Sequence, residues 1–166
     1  MDGPDARVPM DVAGYVRSSR EGPCFICAML AGQPRYRHHL LYADADTVAF
    51  LSRYPTLPGY SIVAPRRHVA SWVRELSEAE FLAFQAVVRR IALALEATLP
   101  TERMYSLSLG SQQGNSHLHW HLAPLPPGVP YDQQQYHALM AEHGVLDVSE
   151  QQQADLADRI RSKLRG

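Results

Sequence analysis

The sequence predicts an α+β fold: an antiparallel sheet of about five strands, one main helix, and further helices at the C-terminus. Three observations point there. Short β-rich runs are separated by turn residues, one long stretch repeats apolar side chains on a helical period, and a group of prolines after Leu122 cuts the sheet off from a helical tail. A chain of 166 residues, 46% of them hydrophobic, is the size of one globular domain that buries most of its unfolded surface. We divide it into an N-terminal arm over 1–21, a central domain over 22–130 that carries the sheet, and a helical extension over 131–166 packed on that domain.

Residues up to about Glu21 mix Pro, Gly and charge without a sustained period, so they read as a flexible, loosely ordered arm. Cys24 to Ala31 fits a short helical turn stopped by Gly32 and Pro34. Leu40 to Tyr42 and Thr47 to Leu51 read as a hairpin joined by an Ala-Asp-Ala-Asp turn. Two prolines and Gly59 lead into the strand Ser61 to Ala64, which Pro65 closes, with His68 just past its end. The clearest helix follows. Ser77 and Glu80 make a capping box, Phe81, Phe84, Val88, Ile91 and Leu95 line one face, and Pro100 stops it. Tyr105 to Leu109 alternates polar and apolar residues, as does His117 to Leu122, before Pro124, Pro126, Pro127 and Pro130 forbid further pairing. Two helices fit the tail: Gln135 to His143, ended by Gly144, and Glu150 to Leu164 behind a Ser149 cap.

A formal net charge of −1 lacks the clustered Lys and Arg that neutralise a nucleic-acid backbone. No run approaches the roughly 20 apolar residues of a membrane span, and Met1 to Met10 carries acids and prolines where a secretory signal would be basic and then apolar. No nucleic acid and no membrane are expected as partners, and the expected location is the cytoplasm. Cys24 and Cys27 are the only cysteines, too few for a secreted disulfide scaffold, and read as a metal or redox pair. His38 and His39 compete as metal ligands, but their adjacency before a strand favours a solvent-facing reading. Arg66 and Arg67 read as solvated charges, Trp72 and Trp120 as core or interface.

The run His117-Leu118-His119-Trp120-His121-Leu122 carries the chemistry. Read as a strand, it puts three imidazoles on one face and Leu118, Trp120 and Leu122 on the other. Three rings with polar nitrogens, each titrating near neutrality, are costly packing with no structural gain, so the row marks a site. Either it binds a catalytic metal, or it supplies a nucleophile with helpers.

His-Leu-His-Trp-His-Leu-Ala-Pro resembles the signature of the histidine triad (HIT) family. Pro58-Gly59-Tyr60-Ser61-Ile62-Val63-Ala64-Pro65-Arg66-Arg67-His68 is similar to the family's strand ending in a proline, two variable residues and a histidine. Cys24-Phe25-Ile26-Cys27 resembles the start of its zinc-carrying, bacterial-type members, so the likeness spans roughly Pro23 to Pro124. The resemblance implies a nucleotide hydrolase or nucleotidyl transferase in which His119 attacks the α-phosphorus and forms a nucleotidyl-histidine intermediate. His121 would contact phosphoryl oxygens or pass a proton to the leaving group, and a histidine at this third position favours hydrolysis. Substrates such as dinucleoside polyphosphates or nucleoside phosphoramidates, and a homodimeric assembly, are implied as well. The likeness also implies a structural zinc on Cys24, Cys27, His68 and His117, which would orient the strand carrying His119.

By the same likeness, Phe25, Ile26, Met29, Phe50 and Leu51 would build the base pocket. Ser52 stands where relatives place an Asp or Asn on the ribose, and Ser108 where they have an Asn. Gln113, Asn115 and Ser116 lie in the loop that would cradle the phosphate, in an order that departs from the family's. A metallohydrolase using all three histidines as ligands, and a nucleotide-binding regulatory protein without turnover, both remain open on the sequence.

Overall fold

The structure, a computed structural model, describes residues 6–110 and 115–165. The sheet has five antiparallel strands: β2 (Leu40–Ala43), β3 (Thr47–Leu51), β4 (Ser61–Pro65), β5 (Arg103–Leu107) and β6 (Trp120–Leu125), in the order β2-β3-β4-β6-β5. β3 and β4 pair along their whole length, Thr47 opposite Pro65 through Leu51 opposite Ser61. The α+β expectation of about five strands with one main helix holds.

That main helix, α4 (Glu78–Glu96), starts with the Ser77–Glu80 capping box and lies on one face of the sheet. Phe84, Val87, Val88, Ile91, Ala94 and Leu95 pack there against Ala49, Leu51, Val63 and Leu122, and α6 (Glu150–Leu164) adds Ala157 and Ile160 to the same core. Adjacent strand residues alternate faces, so Val48, Phe50, Ile62 and Ala64 turn the other way. They pack with Ile26, Phe25 and Met29 of α2 (Phe25–Leu30). The same face carries Ala123 and Leu125, which pack with Leu57 and with Ala138 of α5 (Tyr136–Leu139). Gly59 turns the chain into β4 at φ 74°, where a side chain would collide with Leu99.

Four elements depart from the sequence reading. The stretch over 1–21 that reads as a loosely ordered arm contains, among its described residues, β1 (Arg7–Val8) and α1 (Val12–Glu21). β1 pairs with β7 (Val145–Leu146), and the Arg7 guanidinium donates to the carbonyls of Thr56 and Gly144. Asp11 caps α1 by accepting from the Gly14 N–H at 2.9 Å. The helix is polar on average and buries no residue fully, and Tyr15 meets Tyr54 edge-on at 5.8 Å, a contact distant in sequence.

The histidine strand also differs. β6 begins at Trp120, and the segment before it bends away, the Leu118 N–H donating to Val69 O at 2.7 Å in the loop after His68. At its other end β6 continues through Pro124, opposite Met104 of β5. Pairing with β4 has already stopped at Leu122, so the proline's missing N–H falls where one side of the strand has no partner. The tail departs too, where the predicted helix over 135–143 is only α5 followed by a 3₁₀ turn. A four-residue helix, α3 (Trp72–Glu75), was not anticipated.

Candidate active site and metal centre

Cys24 caps α2 and Cys27 lies one turn later, while His68 follows β4 and His117 precedes β6. Tertiary folding brings the four together: their donor atoms all lie within 4.8 Å of one another. Cys24 Sγ and Cys27 Sγ are each 3.5 Å from His117 Nδ1, and Cys27 Sγ is 3.3 Å from His68 Nδ1. Ligands of a tetrahedral zinc, with Zn–S about 2.3 Å and Zn–N about 2.0–2.1 Å, sit roughly 3.5 Å apart, so the donor set fits that ion. The surroundings fit as well. His117 Nε2 lies 2.7 Å from Pro65 O, which fixes the N–H there and leaves Nδ1 as a lone-pair donor. Two N–H groups approach the Cys24 sulfur, from the Cys27 backbone at 3.4 Å and from Asn115 Nδ2 at 3.0 Å. Burial, and then the neighbouring Cys24, push the Cys27 thiol up to about 11; a cation held between the two sulfurs would reverse that push by stabilising thiolate.

His119 is tied differently. Its Nδ1 lies 2.6 Å from His117 O, so the N–H is on Nδ1 and Nε2 keeps its lone pair, with no hydrogen-bond partner for Nε2 among the described residues. The ring is buried, and loss of hydration holds its pKa below the usual imidazole range. It is therefore neutral at pH 7. Ser108 donates to His119 O at 2.6 Å and so holds the backbone of the row from the β5 side. A cleft lined by Ser71, Trp72, Ser108, Leu109, Ser116 and His119 gives access from solvent.

His121 sits on the same sheet face as Ile62 and Phe50, opposite Ile62 in β4. Its ring is 4.8 Å from that of His119, and Tyr60 Oη is 3.1 Å from its Nδ1. Desolvation, then His119, lower its pKa to about 3. Metal ligation by all three histidines is unsupported by this arrangement: His117 turns its free nitrogen to the thiols, and the triad is not among the groups of described side chains able to share an ion.

The side chains predicted for the base pocket are brought together in part. Phe25 and Met29 of α2 are half-buried beside Phe50, whereas Ile26 and Phe50 are completely buried. Leu51 is a correction. Next to Phe50 in β3, it faces the opposite side of the sheet and packs under α4. His38, read from sequence as solvent-facing, instead packs its ring 4.8 Å from Phe50 and 5.6 Å from Phe25, with Nδ1 2.7 Å from Tyr36 O. Burial lowers its pKa to about 4. No sequence pattern flagged it, because its partners come from α2 and β3. Ser52 lies in a second cleft, walled by Arg37, His38, Arg53, Glu150 and Gln153, where the N-terminal turn of α6 closes over the end of β3. Asn115 is turned to Cys24 and not to the cleft beside His119, and Gln113 lies outside the described residues.

The HIT domain family matches residues 33–127. An uncharacterized HIT-like protein of Saccharolobus solfataricus is 30% identical over 104 residues, 61% of this chain and 73% of that one. Among solved structures, a zinc-bound histidine triad family protein from Mycobacterium smegmatis superposes with a TM-score of 0.67 at 20% identity, covering 86% of this chain and 93% of that one. The diadenosine triphosphate hydrolase of Plasmodium falciparum superposes with a TM-score of 0.59 at 14% identity, covering 78% of each chain.

Proposed function

Because this chain belongs to the histidine triad family, we propose that it is a nucleotide hydrolase or nucleotidyl transferase with His119 as its nucleophile. One observation carries the reading: the His117 carbonyl takes the Nδ1 proton of a neutral, buried His119 and leaves the Nε2 lone pair free. That is the state a nucleophilic imidazole needs at neutral pH without a separate base. Nε2 attacks the α-phosphorus of a nucleotide conjugate, such as a dinucleoside polyphosphate or a nucleoside phosphoramidate. The bond to the leaving group breaks, and its electron pair departs with that group. Water then adds to phosphorus, the P–N bond breaks, and neutral His119 and a nucleoside monophosphate are released. His121, neutral and beside His119, donates a hydrogen bond to a phosphoryl oxygen, and Ser116 lies in the cleft through which the phosphate enters.

Cys24, Cys27, His68 and His117 would hold a zinc ion whose chemistry here is structural, since four protein ligands leave no open position. A base would rest on the half-buried Phe25, Met29 and His38, and the protein would act as a cytoplasmic homodimer. The superposition on a diadenosine triphosphate hydrolase supports hydrolysis as the reaction class. The test is a screen of adenylyl and guanylyl conjugates with varied leaving groups, followed by quenching of the best substrate. A base-stable, acid-labile nucleotidyl adduct on His119 is the expected result, and turnover without any such adduct rejects the proposal.

A further inference from the structure

We propose that Tyr60 is a positioning residue that fixes the tautomer of His121, donating its phenolic hydrogen to Nδ1 so that the ring's only N–H is on Nε2. The inference rests on the reading of His119 as nucleophile. Gly59 turns the chain into β4 and sets Tyr60 beside β6, where its ring meets that of His121 edge-on, centroids 5.6 Å apart at 80°, with Oη 3.1 Å from Nδ1. Neither residue has another hydrogen-bond partner for these atoms among the described residues.

Two arrangements fit a 3.1 Å contact, and they differ in what Nε2 can do. If Nδ1 carried the proton and donated to the phenol, Nε2 would present a lone pair, next to the ring of His119 and to the anionic oxygens of a bound phosphate. Acceptors would then face acceptors, and the phenolic hydrogen of Tyr60 would have nowhere to go, a cost of about 1–3 kcal/mol for a buried donor. If Tyr60 donates, every group is matched: Oη–H to Nδ1, and Nε2–H to a phosphoryl oxygen. Burial, and then Tyr15 of α1, hold the phenol above its usual pKa, so it keeps its proton throughout the working range. Tyr15 itself meets Tyr54 edge-on at 5.8 Å.

The experiment uses the full-length zinc-loaded protein. The ring-nitrogen chemical shifts of His121 are read by ¹⁵N NMR in the wild type and in Tyr60→Phe, alongside kcat and KM on the best substrate of the screen. Wild-type His121 should show protonated Nε2 and bare Nδ1, and Tyr60→Phe should yield a mixture of tautomers. kcat should fall about tenfold with KM changed less than threefold, the scale seen when the partner orienting a functional histidine is removed. Zinc content and melting temperature should stay near wild type. A wild-type His121 protonated on Nδ1, or a Tyr60→Phe protein with unchanged tautomer and kcat, overturns the inference. His119→Asn separates the two failures: if that variant still turns over, the nucleophile reading is lost while the NMR result judges Tyr60 independently.

Discussion

His117 and His119 lie two residues apart in one row, both are buried, and each has one ring nitrogen at a backbone carbonyl. They are tied by opposite nitrogens. His117 gives Nε2 to Pro65 and turns Nδ1 toward two thiols; His119 gives Nδ1 to its neighbour's carbonyl and leaves Nε2 at the cleft. The side chain is the same, so what faces the second nitrogen decides the role. Soft sulfur donors fit the first histidine to a metal cage, and the unpaired nitrogen of the second fits it to the nucleophilic role proposed above.

The widest gap between the two should appear in turnover. His119→Asn should lower kcat by a factor on the order of 10³ or more while keeping its zinc and its affinity for substrate, since an amide keeps polar contacts but forms no adduct. Near wild-type turnover, or loss of metal together with activity, would erase the distinction.

The metal end should respond in stability first. Cys27→Ala or His117→Asn should lose zinc and at least about 3 kcal/mol, roughly 10 °C in melting temperature, because metal binding is folding free energy for the elements it joins. Metal analysis and calorimetry on the same samples check this, and an unchanged melting temperature would remove the cage from the account.

The two faces of β3 sharpen the contrast at a smaller scale. Leu51→Ala, under α4, should cost about 2–3 kcal/mol of stability and leave nucleotide affinity per folded molecule unchanged. Phe25→Ala, on the site face, should weaken mononucleotide binding about tenfold by titration calorimetry. Equal affinities in the two variants would place the nucleotide elsewhere.

The smallest effect concerns acid. His38 is lowered to about 4 by burial, so as pH falls below 6.5 the unfolded chain takes up a proton that the native ring refuses. Its contribution is fully present above pH 6.5 and is lost as pH falls toward 4, about 2 kcal/mol after allowing for partial solvent exposure. Urea midpoints at pH 7 and 4.5 should therefore lie closer together in His38→Phe than in the wild type, and equal separations would contradict a neutral, half-buried His38.

The sequence by itself determined what repeats or punctuates locally. The Ser77–Glu80 box and its apolar stripe fixed α4, and Ser149 marked α6. The alternation read over His117 to Leu122 put His121 on one face and Trp120 and Leu122 on the other, although the strand itself begins at Trp120. The Cys24, Cys27, His68 and His117 cluster was legible through its likeness to a family, though the four residues span 94 positions and only the fold brings them within 4.8 Å. Tertiary structure alone decided the rest. β1 is held by Arg7 reaching Thr56 and Gly144, His38 is half-buried by rings from α2 and β3, and Tyr60 meets His121 because β4 and β6 are neighbours in the sheet. A periodic pattern records which face of its own element a residue occupies; hydrogen bonds and desolvation depend on which other element arrives at that face, and that follows from packing and not from spacing along the chain.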